Sequence, residues 1–390
     1  MITIDTECSN VACIYTNNAE PLGYTCTMRF LAYSRDMDSL NVTGVHLTGK
    51  CDDDVIRVVI TQSGILYVPS PMFDIFLNIE TVEIDNAGLQ KLNINSFRNA
   101  DKLTKFKSYR NKLQRIDARA FYAIEALEKL ELDANIVEEI DENAFEGLDK
   151  LKTLTLSNNL IQLILPGTFI FLKSLEEMSI ENNQISELTP GFFQGLVNLK
   201  ELSLLSNSIQ YVSAGSFSSM KNLVILHLGY NQISELTPES FQGLDSLKEM
   251  YLFWNKITVL QADTFKFLPS LEILYFHTNP LVTVSPGAFR GLKSIKIIQL
   301  NNNEIQNLPV GAFEGLGNLD KLQLSSNQII AINSNTWKGL DNLDELSISM
   351  QPIQHFDGYN FELLENLKTL TMTLMDIEEI DSNTFVGNFI

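Results

Sequence analysis

Residues 151–174 read LKTLTLSNNLIQLILPGTFIFLKS, and the order of apolar residues within this stretch decides the fold. Leu151, Leu154 and Leu156 stand eight, five and three residues before Asn159, and Ile161 and Ile164 stand two and five after it, giving the frame LxxLxLxxNxIxxI. Around the two central leucines, Thr153, Thr155 and Ser157 are polar. Such alternation at period two is the mark of a short strand with one face buried.

The same frame recurs on both sides. Asparagine stands at 111, 135, 159, 183, 207, 231, 255, 279, 303 and 327, ten times at a spacing of 24 residues. Ten residues after each comes an aromatic: Phe121, Phe145, Phe169, Phe193, Phe217, Phe241, Phe265, Phe289, Phe313 and Trp337. Phe73, Phe97, Phe361 and Phe385 extend that column where Ser63, Ala87, Gln351 and Met375 hold the Asn position, so the frame runs from Val55 to Ile390 as 14 turns. A unit this short cannot bury its own apolar face, and stacking identical units does so. The strands then line up as one parallel sheet on the concave side of a solenoid. The asparagine falls where the chain bends away from the strand, where a buried amide can satisfy backbone groups of neighbouring turns. The aromatic column fills the far side of the core, each ring contributing roughly 1.5–3 kcal/mol by burial. Both columns read as structural.

This frame resembles the leucine-rich-repeat family in its 24-residue extracellular form. The resemblance implies an α/β solenoid: a leucine-rich-repeat horseshoe with a parallel concave β-sheet. Its convex side is mostly irregular or short-helical, and connections such as Pro190-Gly191 and Pro286-Gly287 fit that.

Residues 1–54 precede the repeats and hold every cysteine of the chain: Cys8, Cys13, Cys26 and Cys51. An even, clustered set reads as a disulfide-stapled N-terminal cap in an oxidising compartment, and the gaps do not suit a zinc site. Val11–Thr16 and Tyr24–Phe30 read as strands around the turn Asn17–Pro21, which brings Cys13 and Cys26 into cross-strand register. That pairing leaves Cys8 for Cys51, one of three connectivities four cysteines allow. Asn41-Val42-Thr43 is the one glycosylation sequon. The N-terminus lacks the features of a signal peptide, so the expectation is a mature extracellular chain, secreted or the ectodomain of a cell-surface protein. Phe385, Phe389 and Ile390 end the chain on a frame boundary with no C-terminal cap, and the expectation there is either a natural protein that continues or an edge that pairs with a second chain.

Formal net charge is −20, which argues against nucleic acid or an anionic membrane as partner. No Ser-His-Asp set, P-loop or HExxH motif is present. His227 and His277 lie two turns apart in different columns, and His46 and His355 are more remote, so neither a metal site nor a cofactor is expected and the chain reads as no enzyme. Function is then sought at the outward strand positions six, four and two residues before each Asn. In the early turns they are ordinary: Lys105 and Lys107, with Arg110 and Lys129, form a basic group balanced by Glu131 and Asp133. Between Asn207 and Asn303 their character changes to Leu205, Ile225, His227, Tyr251, Phe253, Ile273, Tyr275, His277 and Ile297, with Tyr230 and Trp254 beside them. Lys321, Gln323 and Ser325 then restore a polar face. Exposed patches rich in tyrosine and tryptophan mark interaction sites.

The cap segments Gly23-Tyr-Thr-Cys26 and Gly44-Val-His-Leu-Thr-Gly49 resemble those of secreted or cell-surface leucine-rich-repeat proteins of insects, some acting in immunity. Toll-type receptor ectodomains are similar in their repeats. The resemblance implies a recognition protein capturing another protein or a microbial surface ligand, with no membrane insertion by this chain. The alternatives are an adhesive or structural protein assembling as a homo- or hetero-oligomer through its C-terminal edge, and a fragment of a Toll-like receptor ectodomain.

Overall fold

The computed structural model describes residues 9–18, 23–29, 32–33, 39–356 and 358–386. The chain forms two compact units, Met1–Gln184 with Phe192–Leu199, and Ile185–Gly191 with Lys200–Ile390.

The first unit opens with strands Ser9–Asn18 and Gly23–Arg29, paired antiparallel. Gly23–Arg29 then pairs parallel with Arg57–Thr61, and from there Thr81–Asp85, Lys105–Tyr109, Lys129–Glu131, Thr153–Thr155 and Glu177–Ser179 follow in parallel register. Each partner lies 24 residues on, as Leu130 opposite Leu154 shows. Cys13 and Cys26 are bonded, with Cα atoms 5.4 Å apart. Their register differs from the expected one. Cys13 faces Met28 and Cys26 faces Tyr15, so the bond runs diagonally, because the first strand continues through Asn17 and Asn18 instead of turning there. Cys51 is exposed, its Sγ 3.5 Å from Asp54 Oδ2, while the expected partner Cys8 lies outside the described residues. Asn41 is exposed on the strand Leu40–Thr43.

In the second unit eight strands repeat the arrangement: Glu201–Ser203, Ile225–His227, Glu249–Tyr251, Ile273–Tyr275, Ile297–Gln299, Lys321–Gln323, Glu345–Ser347 and Thr369–Thr371. The middle residue of each inner strand, Leu226, Met250, Leu274 and Ile298 among them, is fully buried. Among the described residues helix is nearly absent: one short α-helix, Met72–Ile75, and the 3-10 segments Asp52–Asp54 and Ser334–Trp337. Turns fill the return side, as the tight connections suggested.

The asparagine and aromatic columns behave as frame. Asn255 Nδ2 donates to Leu228 O at 2.9 Å and Leu252 O at 3.0 Å, and its Oδ1 accepts from Ile233 N at 3.0 Å. One amide thus satisfies backbone groups of two turns in the buried bend. Gln351, standing in the Asn position, does the same with Ile329 N at 3.1 Å and Leu324 O at 2.7 Å. The rings stack in turn: Phe241 on Phe265, Phe265 on Phe289, Phe289 on Phe313 and Phe313 on Trp337, at centroid distances of 5.9–6.2 Å. Trp337 adds an N–H to this apolar column, and Nε1 donates to Asn360 O at 3.0 Å.

Immediately before each Asn the backbone turns left-handed. Asn158, Asn182, Ser206, Tyr230, Trp254, Thr278 and Asn302 all have φ between 51° and 59°. This bend takes the chain off the sheet, and asparagine tolerates it better than larger residues.

Candidate functional site

Parallel register with a 24-residue offset brings equivalent side chains of successive strands side by side, about 5 Å apart. In the second unit, three aromatic columns result. The residues four before each Asn place His227 on Tyr251 at 4.3 Å and 20°, and Tyr251 on Tyr275 at 4.6 Å and 13°. Two before each Asn, the ring of Phe253 lies parallel to His277 at 5.0 Å. In the left-handed bend itself, Tyr230 stacks on Trp254 at 5.7 Å and 15° and meets Phe253 edge-on at 5.4 Å.

The columns are joined, since Tyr251 meets Phe253 edge-on at 6.3 Å. All eleven expected patch residues therefore belong to one face of one unit, but their exposure is uneven. Leu205, Ile225, His227, Tyr251, Phe253, Ile273, Tyr275, His277 and Ile297 are half-buried, because neighbouring rings and methyls cover one another. Tyr230 and Trp254 are the open ones, at 51% and 52% exposure.

Polar groups at the rim are few. Tyr251 Oη donates to Glu249 Oε2 at 2.7 Å, and burial, reinforced by this carboxylate and by Tyr275 and Glu201 nearby, pushes the phenol far above the usual range. His277 is held below the ordinary imidazole value by burial, its Nδ1 3.1 Å from Thr278 Oγ1, so it is neutral at pH near 7. His227 Nε2 lies 3.8 Å from Glu201 Oε1. The two histidines serve different columns, and among the described residues no group of three or more His, Cys, Asp and Glu is placed to hold a metal.

Four residues of this face were not singled out in the sequence. Gly229 makes room for Phe253, Glu201 and Glu249 line the rim, and Asn301 continues the Phe253–His277 column with a buried Oδ1 that has no hydrogen-bond partner. Gly229 was detectable as the one residue without a side chain in a column otherwise filled.

In the first unit the basic group is neutralised locally. Lys105 and Lys129 reach Glu131 at 3.4 and 2.8 Å, while Lys107 and Arg110 lie over the Tyr109 ring. Asp133 plays another part: its carboxylate accepts from Ser157 N at 2.7 Å and from Thr155 Oγ1.

The sequence pattern described as Leucine rich repeat matches residues 125–185, 173–232, 197–257, 254–305 and 293–353. The chain belongs to the leucine-rich-repeat family.

Among solved structures, this leucine-rich-repeat chain is similar to the TLR13–ssRNA13 complex, at 25% identity over 85% of this chain and 49% of that one, with a TM-score of 0.77. Toll, in the glycosylated Toll–Spatzle complex of Drosophila, is 18% identical over 97% of this chain and 56% of that one, with a TM-score of 0.76. At that identity the likeness is one of fold. A leucine-rich-repeat protein of Leptospira interrogans is 26% identical over 85% of this chain and 83% of that one, with a TM-score of 0.64. The chain spans about half the length of the first two. No curated protein matches it significantly by sequence. The expectation that nucleic acid is no partner gains no support here, since TLR13 is in complex with ssRNA13. Among the described residues no helix is long and apolar enough to cross a membrane.

Proposed function

We propose that this leucine-rich-repeat chain is a non-catalytic extracellular recognition module, binding a protein or microbial surface ligand through the aromatic face of its second unit, in innate immunity. The observation that carries the reading is the Tyr230–Trp254 pair. Two large aromatics stand half-exposed and stacked in consecutive left-handed bends, where the backbone itself favours asparagine or glycine. Large side chains held at such positions, against local preference and toward solvent, are characteristic of binding surfaces. The Cys13–Cys26 bond supports an oxidising compartment, and an exposed Asn41 is an accessible glycan acceptor there. Residues 1–54 act as the N-terminal cap of the repeats at 55–390. The complexes of TLR13 with ssRNA13 and of Toll with Spatzle support ligand capture as the work of such a fold.

The test is binding of extracellular proteins and microbial surface material to wild type and to a variant with Tyr251, Phe253, Trp254 and Tyr275 changed to alanine. Circular dichroism checks that both are folded. A second variant, Tyr230→Ala with Trp254→Ala, removes only the exposed pair and spares the half-buried columns. Loss of a wild-type partner in both variants is the expected result; undiminished binding in both sinks the proposal.

A further inference from the structure

Resting on the recognition role proposed above, we infer that the second unit's aromatic face takes a protein segment that is apolar but carries lysine or arginine, docked against Glu201 and Glu249.

Ring orientation narrows the partner first. His227, Tyr251 and Tyr275 stack face to face at 4.3 and 4.6 Å, as do Phe253 and His277 at 5.0 Å. The shared faces are therefore covered within the sheet, and Tyr230 and Trp254, stacked at 5.7 Å, likewise cover one face of each other. Sugar rings and nucleobases bind aromatics chiefly by stacking on open faces. Apolar side chains need no such geometry: they pack against ring edges and against Ile225, Ile273 and Ile297, which share their column with Glu201 and Glu249.

Charge narrows it further. Several carboxylates of this unit are matched by lysine: Glu272 by Lys248 at 2.9 Å, Glu345 by Lys321 at 2.9 Å, Asp344 by Lys368 at 2.8 Å. Glu201 and Glu249 are different. Their partners are the His227 ring at 3.8 Å and the Tyr251 hydroxyl at 2.7 Å, and among the described residues neither meets a lysine or arginine. Both carboxylates stand on the same edge of the aromatic columns, two strands apart, and retain acceptor capacity. The unfilled polar groups of the face are thus acceptors, and a docked segment must supply donors. In a chain of net charge −20, cationic donors bring favourable long-range steering as well.

The experiment titrates the full chain with a synthetic peptide of alternating leucine and lysine and with its leucine–glutamate counterpart. Anisotropy of a dye carried by the peptide serves as the readout, because the quadruple variant lacks Trp254, and Trp337, the other tryptophan, is buried. The variants are Glu201→Gln with Glu249→Gln, a control with the lysine-paired Glu272→Gln and Glu345→Gln, and the quadruple alanine variant. Expected is binding of the lysine peptide only, weakened about tenfold by neutralising Glu201 and Glu249 and by raising salt to about 0.5 M, with the control variant unchanged. Equal weakening by both glutamine pairs, or equal binding to the quadruple variant, overturns the inference by reducing it to general acidity. Single-stranded RNA or polysaccharide displacing the peptide from wild type but not binding the quadruple variant also overturns it, while leaving the recognition role intact. Loss of a natural partner from the quadruple variant, with no effect of neutralising Glu201 and Glu249, separates the two readings in the same way.

Discussion

The ring of Phe253 lies over Gly229: a Cβ placed on that glycine would stand 2.8 Å from Phe253 Cε2 and 3.1 Å from Leu205 Cδ2. The absence of a side chain at one position thus sets the orientation of a ring one turn later, and that ring in turn supports His277, Tyr230 and Tyr251.

Gly229→Ala is expected to fold but to push Phe253 from its place. Overpacking of this kind costs about 1–3 kcal/mol, with the lower end expected because the obstructing atoms are the far end of a side chain. Denaturant unfolding measures the cost, and partner binding should fall alongside it. Binding at wild-type strength would show that Phe253 orientation is irrelevant to recognition.

Asn255→Ala strands Leu228 O, Leu252 O and Ile233 N in the core, which should cost at least about 3 kcal/mol. Asn255→Gln should cost distinctly less, because Gln351 already fills the same role in its own turn. Equal losses for the two substitutions, measured by chemical denaturation, would contradict the backbone-satisfying role assigned to the amide.

Trp254 has a φ of 54°. Replacing it with glycine relieves a left-handed conformation worth about 1–2 kcal/mol and forfeits a ring contact worth about 0.5–1.5 kcal/mol. Stability should therefore stay within about 1 kcal/mol of wild type, whereas Trp254→Val, β-branched and poorly suited to the bend, should be less stable. Both should bind partner weakly. Thermal unfolding that ranks valine above glycine would refute the backbone argument.

Burial raises the pKa of Asp133. The native state therefore holds that proton more tightly than the unfolded chain does, so the group favours folding most below the ordinary carboxyl value near 4 and loses that contribution as pH rises through the folded value. Asp133→Asn imitates the neutral form and retains an acceptor for Ser157 N. It should be more stable than wild type at about pH 7, with the gap closing on acidification to about pH 3. Melting curves at the two pH values decide it; a gap that widens in acid would reverse the sign.

Much of this was legible beforehand for a geometric reason. A 24-residue period with alternating leucines leaves one economical packing, and the asparagine and phenylalanine columns report the bend and the far core without reference to any fold. The cap was less legible. Cys13 and Cys26 do pair, yet their strands are offset by two residues from the expected register, because Asn17 and Asn18, typical turn residues, extend a strand instead. The left-handed bend was signalled by Asn158-Asn159, Asn182-Asn183 and Asn302-Asn303, which mark the same position that Tyr230 and Trp254 occupy.

For this protein the sequence by itself determined the repeat, the buried and outward positions of the repeat strands, and which turns carry aromatics, since periodicity along the chain converts directly into sides of a strand. Only the tertiary structure decided what that face offers. Neighbouring strands stand about 5 Å apart, close enough for rings 24 residues distant to cover each other. This contact buries the shared faces of His227, Tyr251 and Tyr275 and leaves Tyr230 and Trp254 open, while Glu201 and Glu249 at the rim meet no lysine or arginine among the described residues. Mutual coverage depends on distances between turns, and no single turn encodes it.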